Sequence, residues 1–128
     1  MDYIVLFENL TSVHVKDSFV NQDKLIFVVE EGKVMKAIGK SGANIRRLEQ
    51  MLKRKIKIVE FSEDICKFVK SFVSPIKADS ISFEEGILSI AVRDTGSKGL
   101  LIGRDRRNLK NLEEITNKYF KGVKIEIR

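Results

Sequence analysis

The apolar residues of this chain fall into strand-length runs and into stripes with helical spacing. Runs rich in β-branched residues predict two pairs of strands, 24–29 with 55–59 and 86–92 with 122–127. Between the two strands of each pair, apolar residues recur every three or four positions, as they do in amphipathic helices. The pattern therefore predicts an α+β chain made of two similar modules.

Two further segments complete this pattern. Apolar runs within 3–20 predict an opening strand or helix for the first module. The polar residues 62–64 precede an amphipathic stripe, which predicts a capped helix that ends at Ser74-Pro75. We expect this helix and 76–83 to link the modules in a fixed arrangement, because no Gly/Ser-rich stretch interrupts them. The predicted boundaries are a first domain at 1–61, a linking helix and Ser-Pro turn at 62–78, and a second domain at 79–128.

The two modules share an internal repeat. An offset of 64 residues aligns 26–57 with 90–121 without a gap and gives nine identical pairs. This period is too long for a solenoid and occurs only twice, so two small modules fit it better. The identical pairs are Ile26/Ile90, Val28/Val92, Gly32/Gly96, Ile38/Ile102, Gly39/Gly103, Asn44/Asn108, Leu48/Leu112, Glu49/Glu113 and Lys57/Lys121.

Positive charge is concentrated in the repeat. The 128 residues include 24 Lys and Arg against 18 Asp and Glu, a net charge of +6. Residues 33–57 alone carry nine basic side chains against one acidic side chain, and 97–121 carry seven against three. A basic run by itself is often only a solvated helix face. Its coincidence with two glycine-containing turns favours a polyanionic partner.

Those turns read Ile-Gly-Lys-Ser-Gly-Ala-Asn-Ile at 38–45 and Ile-Gly-Arg-Asp-Arg-Arg-Asn-Leu at 102–109. Glycine lets a phosphate approach the backbone, and the helix that follows directs free N–H groups towards it. Ser41 and Asp105 are residue types that cap helix N-termini, so we expect each to cap the helix after its turn. Capped helices alone would not explain why Lys40 and Arg104 both occupy the tip.

Other classes of function fit the sequence poorly. Gly39-Lys40-Ser41 resembles the end of a Walker A loop, but that loop needs glycine where this chain has Val34. His14 and Cys66 lack the partner residues of a catalytic or zinc site, so we expect no enzyme, cofactor or metal. No run approaches the ~20 apolar residues of a membrane span, and no secretory signal opens the chain. We therefore expect a cytoplasmic protein that has neither a membrane nor a small-molecule substrate as a partner.

The layout of strand, turn, helix, Ile-Gly-x-x-Gly, helix and strand resembles a KH domain, whose GxxG loop clamps single-stranded nucleic acid. The order of elements resembles the prokaryotic type II form, in which helices pack on a small three-stranded sheet. The duplicated layout resembles the tandem KH unit of the NusA family of transcription factors, and the chain length resembles its short archaeal form. The resemblance implies two tandem type II KH domains that bind single-stranded RNA.

The resemblance also implies which residues contact RNA. The first turn keeps both glycines, whereas Arg106 replaces the second glycine of the second turn. Asp105 places a carboxylate where a phosphate would lie, so we expect weaker contact there. Ile38 and Ile45 are equally compatible with an apolar floor for bases and with plain core. The implied RNA-binding residues are Ile38, Gly39, Lys40, Ser41, Gly42, Ala43, Asn44, Ile45, Arg46, Arg47, Gly103, Arg104, Arg106 and Arg107.

Three functions are compatible with these features. The leading hypothesis is a non-enzymatic RNA-binding factor in transcription elongation or termination, with RNA polymerase as a second partner. The second is a KH protein that acts on ribosomal RNA or in translation, which the same groove would serve. The third is a small phosphate-handling enzyme, which predicts a melting shift with nucleotide in the absence of RNA.

Overall fold

The structure is a computed structural model that describes residues 2–128. The chain divides into two compact units, Met1–Ser62 and Glu63–Arg128. The first unit contains α1 (Tyr3–Thr11), β1 (Val15–Asn21), β2 (Lys24–Val29), α2 (Val34–Ile38), α3 (Ala43–Leu52) and β3 (Lys55–Glu60). The second contains α4 (Ile65–Val73), β4 (Ser80–Glu84), β5 (Ile87–Ala91), α5 (Thr95–Ile102), α6 (Arg107–Tyr119) and β6 (Lys124–Ile127).

Both units have the same topology. Each forms a three-stranded sheet, in the order β1-β2-β3 or β4-β5-β6. In each sheet the first two strands are antiparallel and the last two are parallel. A single 3₁₀ turn, Lys40–Gly42 or Arg104–Arg106, separates the last two helices of each unit. The predicted α+β class with helices on two three-stranded sheets is confirmed. Within residues 2–128, no helix has the length and apolar character needed to cross a membrane.

The duplication extends further than the sequence repeat. Helix α4, which the sequence predicts as a linking helix, lies inside the second unit together with β4. Helix α4 precedes β4 as α1 precedes β1. It packs within its own unit, since the Phe68 ring lies 5.2 Å from the Tyr119 ring and 5.7 Å from the Phe120 ring. Each unit therefore begins with its own helix.

The core of the first unit lies between its sheet and its helices. Phe7 of α1 stacks on Phe27 of β2 at 4.3 Å between ring centroids, and both rings are fully buried. Leu25, Val29 and Ile58 belong to the same cluster. Residues on the opposite face of β2 are buried too, which is why this central strand reads as an unbroken apolar run rather than as an alternating one.

The gapless offset of 64 is wrong for the strands. On the helix-facing side, Phe27 pairs with Ile58 in the first unit, and the corresponding pair in the second unit is Ile90 with Ile127. The central strands therefore correspond at an offset of 63. A one-residue slip moves every side chain to the other face of a sheet, so Ile26 and Ile90 are identical but not equivalent.

Two further identities of the repeat also fail. Gly32 has a left-handed φ of +82° in the turn before α2, whereas Gly96 lies inside α5. Lys57 lies in β3, but Lys121 lies in the turn before β6. The offset of 64 does hold from the end of α2 into α3. Residues 64 positions apart therefore occupy equivalent places in the two units chiefly around the two turns.

Candidate nucleic-acid interface

The first glycine turn reverses the chain between α2 and α3 with an unusual backbone. Gly39 has φ 82° and ψ 169°, a region that only glycine occupies readily. Ser41 and Gly42 are both left-handed, at φ 53° and φ 76°. The N–H of Gly42 donates to the Gly39 carbonyl at 3.1 Å and closes the turn. The conformation, not only the absence of side chains, thus requires glycine at position 39.

The expectation that Ser41 and Asp105 cap the following helices is wrong. The N-cap residues are Gly42 for α3 and Arg106 for α6, and neither helix has a side-chain cap among the described residues. A capping side chain needs a backbone in the extended region, whereas Ser41 and Asp105 are left-handed. The first N–H groups of α3 and α6 are therefore not held by a capping side chain.

An asparagine in each unit, Asn44 or Asn108, explains why each turn begins with glycine. The Asn44 Nδ2 donates to the Lys36 carbonyl at 3.4 Å, and a Cβ on Gly39 would lie 2.8 Å from the Asn44 Cγ. In the second unit, Asn108 Nδ2 donates to the Leu100 carbonyl at 2.8 Å. The asparagine therefore ties the second helix of each pair to the first. In this structure the Asn44 amide, expected among the RNA contacts, is directed at the Lys36 carbonyl of α2.

A second repeated contact was not anticipated. The Glu49 carboxylate accepts a hydrogen bond from the Ile56 N–H at 3.0 Å, and Glu113 accepts one from Ile125 at 2.9 Å. Each bond joins the helix after the turn to the first inner residue of the edge strand, and it satisfies an edge N–H. The identity of Glu49 and Glu113 was the available signal.

Basic side chains surround the first turn. Lys40 and Arg47 are exposed, and Arg46 is exposed with its Nη1 donating to the Ser41 carbonyl at 2.5 Å. A Cβ on Gly42 would lie 3.3 Å from that Nη1, so the second glycine leaves room for the guanidinium. The turn therefore carries concentrated positive charge close to accessible backbone.

The three remaining predicted residues of this turn differ in exposure. Ile38 and Ile45 are partly buried and pack against the core of the first unit. Ala43 is exposed at the first position of α3. The two isoleucines are thus largely structural, and only their exposed edges face solvent beside the turn.

Lys57 differs from the other basic residues of 33–57 because it lies in the sheet and is partly buried. Burial, followed by the nearby charge of Lys24, lowers the pKa of Lys57 from 10.5 to about 8. Between these two pH values the unfolded chain binds more protons than the folded chain at this site, so its contribution makes stability rise with pH. We expect Lys57→Met to remove that rise. Urea unfolding at pH 7.5 and pH 10 measures it, with exposed Lys55→Met as the control. Equal pH slopes for wild type and Lys57→Met would contradict the assignment.

The second turn has nearly the same backbone as the first. Gly103 has φ 74° and ψ 173°, Asp105 has φ 55° and ψ 31°, and Arg106 has φ 63° and ψ 21°. The largest difference is in φ of the last residue, 63° for Arg106 against 76° for Gly42. Arg106 therefore holds a glycine-like conformation. Arg104 and Arg107 are exposed on either side of it.

A groove of about 400 Å³ adjoins this second turn. One wall is formed by Ile102, Arg106 and Leu109, and the other by β6 and Arg128. The Arg128 Nη2 contacts the Glu126 carboxylate at 3.1 Å. The groove thus has an apolar floor with arginines at its edge. The sequence did not indicate such a groove beside the second turn.

The strain at Arg106 leads to a stability prediction. A left-handed conformation costs a non-glycine residue roughly 1–2 kcal/mol, and the greater freedom of an unfolded glycine offsets about half of this. We expect Arg106→Gly to raise the free energy of unfolding by about 0.5–1 kcal/mol in urea titrations. Arg107→Gly, inside the first turn of α6, is the control and should lower it. Destabilisation by Arg106→Gly would show that the arginine side chain contributes more than the backbone strain removes.

The fold and the turn together define a class. The KH domain family matches residues 3–79, more than half of the chain. The chain belongs to the KH domain family.

Named relatives extend this similarity over nearly the whole chain. A probable transcription termination protein NusA of Methanocaldococcus jannaschii is 28% identical over 127 residues, which cover 97% of this chain and 69% of that protein. The protein of the same name in Halococcus morrhuae is 26% identical, with 98% and 91% covered. The crystal structure of APE1850 is 33% identical with a TM-score of 0.73, and the match covers 98% of this chain and 95% of that one.

Proposed function

We propose that this chain is a tandem type II KH protein that binds single-stranded RNA as a NusA-like factor in transcription elongation or termination. The observation that carries the proposal is the repeated turn, since both units hold the same backbone conformation between the same pair of helices. The KH family match supports the first unit directly. The identical order of elements and strand pairing support the same assignment for the second unit.

The first turn is proposed as the main contact with the RNA backbone. The helix α3 that follows this turn has no side-chain cap on its first N–H groups, and an anion is favoured at a helix N-terminus. Lys40 supplies a charge at the tip and Ser41 supplies a hydroxyl. The Arg46 guanidinium lies across the turn with further N–H donors. These contacts read phosphate rather than sequence, so they position the RNA.

The second turn is proposed as a supporting contact. Arg104, Arg106 and Arg107 bring positive charge, and the adjoining groove offers apolar surface for bases. The Asp105 carboxylate lies at the tip and repels phosphate, and the Arg106 side chain occupies the place where the first unit has only glycine. We therefore propose that RNA is held more tightly at the first turn than at the second.

Binding to a single-stranded RNA of about ten nucleotides tests the proposal. Fluorescence anisotropy should show stronger binding to the single strand than to a duplex of the same sequence. The affinity should also fall steeply between 50 and 200 mM salt, because phosphate contacts release counterions. Equal affinity for duplex and single strand, or salt-independent binding, would contradict the groove assignment.

The role in transcription rests on the relatives named NusA. The same RNA groove would serve a protein of ribosomal RNA or translation, so RNA binding alone does not separate the two. Affinity purification from the native cell does. Co-purification of RNA polymerase after nuclease treatment supports the transcription factor, whereas ribosomal subunits without polymerase would favour the alternative.

A further inference from the structure

A second groove lies in the Glu63–Arg128 unit. Its lining comes from residues 66–81, which precede the second turn in the sequence. It has a volume of about 710 Å³ and runs between α4 and β4. Its apolar lining comes from Val73, Pro75, Ile76 and Ile81, and its cationic lining includes Lys70 and Lys77. None of these residues belongs to the RNA site proposed above.

Strand β4 contributes Ser80 and Ile81 to the lining of this groove. It is the outer strand of its sheet and pairs only with β5. Its residues Ser80, Ser82 and Glu84 are exposed. An outer strand can accept an extended peptide as an additional strand, with backbone hydrogen bonds supplying affinity and side-chain pockets supplying specificity.

The positive charge of the groove favours acidic peptides. Lys70 and Lys77 are exposed, and neither has an ion-pair partner in the part of the chain that the structure describes. Asp79 is the one acidic residue in the lining, and its Oδ2 accepts a hydrogen bond from the Arg93 N–H at 2.6 Å. The lining therefore carries an excess of positive charge above apolar walls.

We propose that the groove between α4 and β4 binds an extended acidic segment of a partner protein, which adds to the edge of β4. An extended peptide rises ~3.3 Å per residue, as β4 does, so its backbone hydrogen-bonding groups match those of β4. Carboxylates of the added strand meet Lys70 and Lys77, and its apolar residues meet Val73 and Ile81. RNA fits less well, because residues 66–81 contain no glycine turn that would bring phosphate to backbone N–H groups.

The test is an NMR titration of the full ¹⁵N-labelled chain with a seven-residue peptide of alternating glutamate and valine. We expect shifts in 80–84 and at Lys70 and Lys77. The double variant Lys70→Glu plus Lys77→Glu should raise the peptide Kd at least tenfold. The same peptide methylated at alternate backbone nitrogens keeps its charge but cannot pair with β4, so it should not shift these residues.

Three results would overturn the proposal. They are an unchanged Kd for the double variant, equal binding of the N-methylated peptide, and shifts at 80–84 caused by oligouridylate but not by the peptide. The last result would assign the groove to nucleic acid. Lys40→Asp plus Ser41→Asp, which removes the proposed RNA contact, should leave peptide binding intact, so failure of one proposal is distinguishable from failure of the other.

Discussion

Gly39→Ala is expected to lower the free energy of unfolding by about 3 kcal/mol. Part of the loss is backbone strain, because φ 82° with ψ 169° lies in a region that costs other residues ~1–3 kcal/mol. The rest is overlap, since the new Cβ would lie 2.8 Å from the Asn44 Cγ and 3.0 Å from the Asn44 backbone nitrogen. Overpacking of this kind adds roughly 1–3 kcal/mol. Urea unfolding followed by circular dichroism measures the loss.

Gly32→Ala is the matched control for this substitution. Gly32 has the same φ of +82°, but a Cβ there would meet nothing within 4 Å. Its replacement should cost only the strain, about 1–2 kcal/mol. Asn44→Ala in the Gly39→Ala background should recover part of the loss by removing the overlap. Equal effects at Gly39 and Gly32 would show that contact with Asn44 does not determine the requirement for glycine.

Lys40→Asp plus Ser41→Asp is expected to raise the Kd for single-stranded RNA about 100-fold, or roughly 3 kcal/mol. The change removes a cation and adds two anions where a phosphate is proposed to lie. Charge-assisted hydrogen bonds contribute about 1.5–3 kcal/mol each, so loss of one or two accounts for the effect. The fold should tolerate the change, because Asp105 already occupies the same backbone conformation in the second unit, at φ 55° against 53° for Ser41. Anisotropy titration measures the Kd.

The second turn provides the reciprocal experiment. Asp105→Ser plus Arg106→Gly gives the second unit the residue types of the first, and we expect RNA affinity to increase several-fold. Arg104→Ala should weaken binding by less than tenfold. If instead Arg104→Ala abolishes binding and the double variant of the first turn leaves it unchanged, the second unit is the main site and the proposed ranking is wrong.

Local signals predicted much of this fold. The strands β2 and β3 follow from β-branched runs, and the helices on either side of Gly39 follow from apolar spacing and the glycine itself. Both turns were located correctly, because their backbone conformation depends on residues within a few positions. The capped helix after residues 62–64 was also predicted, and the structure shows that the Asp64 carboxylate is its cap, accepting from the Cys66 N–H at 2.9 Å.

The features that were missed depend on contacts distant in sequence or on single dihedral angles. The offset between equivalent strands could be read only from pairing partners, such as Ile90 with Ile127. The Glu49 bond to Ile56 joins a helix to a strand and leaves no periodic pattern. The residue type of Ser41 favours a helix cap, but its left-handed φ makes that role impossible.

The central claim is that the first glycine turn grips the RNA backbone, and mapped photo-crosslinking tests it most directly. The full chain would be irradiated with a single-stranded RNA containing 4-thiouridine, and the modified peptides identified by mass spectrometry. We expect the strongest crosslinks within 38–47, with weaker ones within 103–107. Crosslinks that are absent from 33–57 while present elsewhere in the chain would contradict it.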